Sequence, residues 1–384
     1  MAQLDEELLR KIAAWETNGL PVTSLYLDVD GRRWPRRSQY VRRAQDMIDD
    51  ACREAEAQGG DAHGSALGDK QRLESFVSEE FERSGRVQGL AAFSCSGAGL
   101  WEAIQVPQPV RDVARVLPGP YLVPLEAVLE LAETFCTTIV DRARARIFAS
   151  RLGEIEETSS VLDEVPGQHD QGGWAQARLQ RHVEDHVQRH LKRVAEALLK
   201  LYEARPFDHL VLAGPEEAVA ELERELHDYV GRRVLARIVL PITASTDEVL
   251  EKAVELEREL EARREREAVE RVVSEARAET GRAMAGVVDT LAALEASRVG
   301  TLVVTTGLQA AGIRCTSCGH LAAQGERCEL CGSEVVQVPD LVEEAVEVAL
   351  ERHCRVESVP SSKDAPRWVK DLESLGGIGA LIRF

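Results

Sequence analysis

The chain has 384 residues, of which 44% are hydrophobic and 29% charged, and its formal net charge is −19. That length calls for two or three domains, each with its own core, and the composition excludes a disordered chain. The opening MAQLDEELLRKIAAW carries charges throughout and no uncharged apolar run approaches the roughly 18 residues that span a bilayer, so we expect neither a secretory signal nor a membrane partner, and cysteines without a disulfide framework fit a reducing cytoplasm.

In chain order, residues 4–15 read as an amphipathic helix and VTSLYLDVD (22–30) as a strand ending in carboxylates. A helix follows over 39–57, then a glycine-rich loop (58–70), a helix over 70–84 and a strand at 89–95. Pro107, Pro109, Pro118, Pro120 and Pro124 mark an extended crossing into a new domain. Strands at 135–141 and 144–150 form a hairpin, with a third strand near 154–162. A long loop, DEVPGQHDQGGWAQ (163–176), opens a helix that runs to Ala204. Strand 208–214, helix 215–229, strand 233–240 and a charged helical stretch from 246 to about 280 continue the alternation. The last hundred residues repeat it: helix 283–297, strand 300–306, helix 340–353, strand 354–359, a helix near 365–374 and a closing strand at 377–384. The alternation predicts small, mostly parallel α/β sandwiches.

Between strand 300–306 and helix 340–353 stands IRCTSCGHLAAQGERCELCGSEV. Cys315 and Cys318, then Cys328 and Cys331, form two C-x-x-C pairs, each followed at once by glycine (Gly319, Gly332). Backbone amides in such a knuckle point at thiolate sulfur, and two knuckles supply the corners of a tetrahedron, a closed Zn²⁺ site that organises structure and activates no water. Cys52, Cys95, Cys136 and Cys354 are isolated in apolar or helical settings and read as small buried side chains.

Taken alone, the net charge argues against nucleic acid as a partner, and no DNA partner is expected, yet the average hides two basic islands. GRRWPRRSQYVRR interleaves Arg32, Arg33, Arg36, Arg37, Arg42 and Arg43 with Trp34 and Tyr40. ARLQRHVEDHVQRHLKR places Arg178, Arg181, Arg189, Lys192 and Arg193 on one helix with His182, His186 and His190. Arginine beside aromatics suits phosphate contact and base stacking, which makes Arg32, Arg33, Arg36, Arg37, Arg178 and Arg181 candidate RNA contacts. The histidine row is expected to face solvent or RNA. HVEDH is no zinc-protease site, because Glu184 points away from the His182/His186 face. No phosphate-cradling G-x-x-x-x-G-K-[ST] loop occurs. Asp28 and Asp30 end a strand and read as turn residues.

GGWAQARLQRHVEDHVQRHLKRVAEAL resembles the segment of archaeal and eukaryotic class I peptide release factors in which a Gly-Gly-Gln loop precedes a basic helix. ESLGGIGALIRF is similar to the closing strand of those factors and of Pelota, the ribosome-rescue paralogue. An α/β domain interrupted by two C-x-x-C-G knuckles resembles the zinc-bearing third domain of archaeal release factors. The similarity covers roughly 119–384; residues 1–118 match only in being an α/β block of suitable size. The pattern also resembles that of the family's bacterial relatives, which include a ribosome hibernation factor.

This resemblance implies a three-domain α/β architecture: an N-terminal domain (1–118), a central domain with the Gly-Gly loop and basic helix (119–280), and a C-terminal domain (281–384) with a zinc-ribbon insertion at 313–336. It implies a ribosome-associated translation factor that acts in the A site of stalled or idle ribosomes, with rRNA and peptidyl-tRNA as partners and a translational GTPase among them. Catalysis in the family uses the glycines for close backbone approach, which assigns that role to Gly172 and Gly173, with Gln176 as the shifted candidate for holding water. Peptidyl-tRNA hydrolysis for ribosome rescue is left open, because Trp174 stands where the glutamine belongs; Trp174 suits stacking on an RNA base instead. The alternative is a non-catalytic hibernation factor that shields the peptidyl-transferase centre. Stop-codon reading is not expected, since neither the Asn-Ile-Lys-Ser loop nor the Tyr-x-Cys-x-x-x-Phe segment occurs.

Overall fold

The computed structural model describes residues 4–56, 61–83, 87–162, 174–362 and 364–383, apart from the side chains of 54–56, 61–63, 162 and 174–183. The chain divides into two compact units, one made of Met1–Leu131 with Leu260–Phe384 and the other of Ala132–Glu259.

The N-terminal part of the first unit begins with helix α1 (Glu6–Ala13), started by Asp5, whose carboxylate accepts the Leu8 amide at 2.7 Å. Strand β1 (Val22–Asp28), helices α2 (Arg37–Glu56) and α3 (Asp61–Ser75), a π-helical turn (Phe76–Glu80), strands β2 (Gly89–Cys95), β3 (Leu100–Val106) and β4 (Val113–Leu117), and helix α4 (Val123–Leu131) follow. The four strands form a sheet in the order β3-β2-β1-β4, antiparallel throughout. Strand periodicity sorts its core onto two faces. Tyr26, Phe93 and Ile104 pack with Leu8, Ile12 and Leu125 on one side. Leu25 and Leu27 pack with Ile48, Leu73 and Phe81 on the other.

Two expectations change here. The proline-marked crossing contains strand β4, which pairs with β1. The glycine-rich segment expected as a loop over 58–70 is helical from Asp61 onward. Gly68 serves close packing: a Cβ there would lie 2.9 Å from the Cβ of Ser96. One residue on, buried Asp69 accepts hydrogen bonds from the hydroxyls of Thr23, Ser94 and Ser96 and fastens the helix to the sheet.

In the second unit, β5 (Phe135–Val140), β6 (Arg144–Arg151) and β7 (Glu154–Leu162) form an antiparallel meander. Helix α5 (Trp174–Ala204) leads to β8 (His209–Ala213), α6 (Glu216–Glu225), α7 (Asp228–Gly231) and β9 (Val234–Ile238). The sheet order is β7-β6-β5-β8-β9, and β8 runs parallel to both β5 and β9. Val187, Leu191, Val194 and Leu198 form the stripe of α5 that packs on this sheet. Helix α8 (Thr246–Arg277) starts in this unit, and its residues from Leu260 belong to the first.

The C-terminal part of the first unit contains β10 (Ala283–Ala285), α9 (Val287–Glu295), β11 (Val299–Thr305), β12 (Gly312–Cys315), β13 (Leu321–Ala322), β14 (Val335–Val338), α10 (Leu341–Glu351), β15 (Arg355–Val359), α11 (Arg367–Glu373) and β16 (Ile378–Ile382). Its main sheet has the order β10-β16-β11-β15, in which only β11 and β15 are parallel. Helices α9 and α10 cover one face; α11 and the end of α8 cover the other. The expected mostly parallel sandwiches are therefore corrected: the alternation of elements holds, but sequential hairpins such as β5-β6-β7 and the antiparallel entry of distant strands such as β16 make the sheets mixed or wholly antiparallel. Strands β13-β12-β14 make a separate small sheet inserted between β11 and α10. Among the described residues, no helix is long and apolar enough to cross a membrane.

Candidate functional site

The small sheet brings Cys315, Cys318, Cys328 and Cys331 together, with all four sulfurs within 4.8 Å of one another. Sulfurs of Cys315 and Cys331, of Cys318 and Cys328, and of Cys318 and Cys331 lie 3.5 Å apart. That is far beyond the roughly 2.05 Å of a disulfide. It is close to the roughly 3.8 Å edge of a tetrahedron whose metal–sulfur bonds are about 2.3 Å.

The two knuckles repeat one geometry. Gly319 donates its amide to the Cys315 carbonyl at 3.2 Å, and Gly332 donates to that of Cys328 at 2.9 Å. Both glycines have φ near +75°, at +73° and +75°, a left-handed conformation that a side chain would strain. The amides of Ser317 and Cys318 each lie 3.4 Å from the Cys315 sulfur, and with the Cys318 amide foremost they lower the Cys315 pKa. Hydrogen bonds from Ser333 bring the Cys331 thiol down to about 6. Crowded thiolates repel one another, and a dication between them removes that cost, so the donor set fits a soft-ligand metal such as Zn²⁺. The cluster is shaped as a closed site, with four protein sulfurs.

The first basic island is divided by the fold. Asp28 and Asp30 do end a strand, and they organise the turn: Asp28 accepts the Asp30 amide at 2.9 Å and Asp30 accepts the Arg32 amide at 3.0 Å. Arg32 also holds the Asp30 carboxylate at 2.7 Å. Burial pushes the Asp30 pKa up, but its hydrogen bonds and charge pairing with Arg32 outweigh that and hold it below the usual carboxylate range. Arg33 is turned inward, 3.2 Å from Asp28 and 3.1 Å from Glu265. Arg43 stacks on Trp34, 3.7 Å from the ring centroid, and pairs with Asp112; burial lowers its pKa to about 10. Tyr40 is in the core, so neither aromatic of this island is an open stacking platform. Arg36, Arg37 and Arg42 are exposed, with Arg37 donating to the Ser78 carbonyl at 2.8 Å. Arg83, unremarked in the sequence, fixes the turn by donating to the carbonyls of Val29 and Trp34 at 3.0 and 2.6 Å.

Gly172 and Gly173 lie outside the described residues. The helix starts at Trp174, so Trp174 and Gln176 occupy its first turn rather than a loop extending to 176. The side chains of Trp174, Gln176, Arg178, Arg181 and His182 lie outside the described residues. Farther along, Arg189 and Lys192 are exposed, whereas His190 is fully buried and His186 half-buried. The expected solvent- or RNA-facing histidine row is thus corrected: His190 shares the core-facing stripe with Val187, Leu191 and Val194.

Comparison with known proteins places these features in a family setting. A family model described as "Bacterial archaeo-eukaryotic release factor family 10" matches residues 120–258, and one described as "eRF1 domain 3" matches residues 262–384. Peptide chain release factor subunit 1 of Methanobrevibacter smithii is 25% identical over 286 residues, covering 69% of this chain and 68% of that protein. Among solved structures, an archaeal translation termination factor, aRF1, is 19% identical over 98% of this chain and 96% of its own, with a TM-score of 0.26. An archaeal Pelota, from a model of its ribosome-bound form with ABCE1, is 17% identical over 75% of this chain and 73% of its own, with a TM-score of 0.43.

Proposed function

This chain belongs to the family of the archaeal and eukaryotic class I release factors, and on that footing we propose that it is a ribosome-associated translation factor working in the A site of stalled or idle ribosomes. One observation carries the reading: two release-factor models match consecutively, at 120–258 and 262–384. The four-cysteine cluster falls within the second match, and we assign it Zn²⁺ in a structural role. The proposed domain order is that of the family, with residues 1–118, 119–280 and 281–384 as the three domains. Ribosomal RNA and peptidyl-tRNA are the proposed partners, with a translational GTPase as the delivering factor. Exposed Arg36 and Arg37 supply phosphate contacts in the first basic island.

As an enzyme the protein cleaves the peptidyl-tRNA ester. Gly172 and Gly173 let backbone approach the ester closely, and the Gln176 amide holds the attacking water. A second reading is favoured by one residue: Trp174 follows the glycine pair where the family places glutamine. In that reading the protein occupies the A site without chemistry, and Trp174 stacks on an RNA base.

Peptide release from stalled ribosomes carrying labelled peptidyl-tRNA, run beside binding to vacant ribosomes, separates the two. Hydrolysis predicts release that falls on the order of 10²-fold in Gln176→Ala, the scale of losing one positioned polar group. Occupation without chemistry predicts no release by the wild type and binding weakened by about 1–3 kcal/mol in Trp174→Ala. Neither release nor binding by the wild type removes both.

A further inference from the structure

The N-terminal and C-terminal parts of the first unit have separate apolar cores. Among the described residues, two clusters are built only from residues 4–125 and two only from residues 268–382. Where the parts meet, helix α4 lies against α10, and the side-chain contacts between the parts include several charge pairs. Arg111, just before edge strand β4, and Arg115, within it, meet the acidic side of α10. Arg111 lies 2.5 Å from Glu343; Arg115 lies 3.0 Å from Glu347 and 3.7 Å from Glu344, which also meets Arg314 at 3.1 Å. The four residues of Arg111–Glu343 and Arg115–Glu347 are each no more than 20% exposed. A second contact has the Arg33 guanidinium between Glu265, at 3.1 Å, and the Ser358 carbonyl, at 3.4 Å. A third, exposed, pairs His353 with Glu130 at 2.7 Å.

We infer that the acidic face of α10 is an intramolecular docking surface for the arginines of β4, and that this joint is a releasable latch between residues 1–131 and 260–384. The spacing of Glu343, Glu344 and Glu347 puts three carboxylates on adjoining positions of one helix side, which suits a partner presenting guanidinium groups along a strand. Polar contacts such as these ion pairs permit relative motion more readily than a large apolar interface does. Burial also works against the closed state: it raises the pKa of Glu343 and of Glu347, the mark of carboxylates that the arginines compensate incompletely for lost hydration. Opening frees Arg33 of the basic island from Glu265, so the latch sets how much of that island faces a ligand.

The latch is tested on the free full-length protein, independently of any ribosome. Donor and acceptor dyes are placed at exposed Arg10 and exposed Arg367, and energy transfer is followed from low to about 1 M salt, where the Debye length shrinks to about 3 Å. High transfer at low salt that falls as salt rises is the expected result. Arg115→Glu is expected to lower transfer already at low salt, and adding Glu347→Arg to restore it. Low transfer in the wild type at low salt, or transfer that ignores both salt and the Arg115→Glu exchange, overturns the latch. Should Arg115→Glu fail to fold, the wild-type salt titration alone decides.

Discussion

The guanidinium of Arg33 donates to the carboxylate of Glu265 across 3.1 Å, although 232 residues separate them in sequence. The contact splits a run of arginines that looks uniform in sequence. Arg33 is 15% exposed and serves the fold, whereas Arg36 and Arg37 face solvent.

The split predicts opposite phenotypes within four residues. Arg33→Ala leaves the Asp28 and Glu265 carboxylates short of a cation and is expected to destabilise the protein by about 3 kcal/mol. The Arg36→Glu, Arg37→Glu double variant is expected to stay within about 0.5 kcal/mol of wild type. That variant should bind ribosomes more weakly, with a salt dependence flattened by roughly 1–2 logarithmic units per decade as phosphate contacts are lost. Denaturant melts and binding isotherms at several salt concentrations check both halves. An unchanged salt slope returns Arg36 and Arg37 to ordinary surface residues.

Zinc content is the second prediction. Protein purified without added metal is expected to carry one equivalent of Zn²⁺ on Cys315, Cys318, Cys328 and Cys331. Chelation should loosen the segment from β12 to β14 before the rest, because ligation and local folding are linked. Less than about half an equivalent with all four thiols reduced counts against the site.

A pH dependence is expected at Glu357 on β15. Burial raises its pKa to about 7, Arg355 and Arg264 lower it in part, and Glu265 adds to the rise. A carboxylate raised on folding contributes stability below its unfolded pKa of about 4.3 and loses it as pH climbs through the folded value. Glu357→Gln should therefore melt above wild type at pH 8, and the gap should close as pH falls from about 7 towards 5. A gap that stays constant with pH means that Glu357 is not the titrating group.

Much of the architecture is legible in sequence because its signals are local. Two C-x-x-C-G knuckles mark by spacing alone the four cysteines that the fold brings together. The alternation over 135–162 and 340–382 shows in runs of apolar residues that need no partner to be recognised. Strand direction is different, since β16 pairs antiparallel with β11 while β15 pairs parallel with the same strand, a choice made by pairing across the sheet. Gly68 looks like loop chemistry until Ser96, the residue its missing side chain makes room for, is known. His190 reads as one of an exposed row until the apolar stripe beside it is docked. The arginine island fails for the same reason: the acids that claim Arg33 and Arg43 come from Asp28, Asp112 and Glu265, set by tertiary contact.

The most direct measurement is binding of the purified protein to vacant ribosomes, with and without tRNA occupying the A site, read by co-sedimentation at moderate salt. Saturable binding that A-site tRNA displaces is the expected result. Recovery of the protein only in the ribosome-free fractions, or binding that A-site tRNA leaves untouched, contradicts a factor that works in the A site.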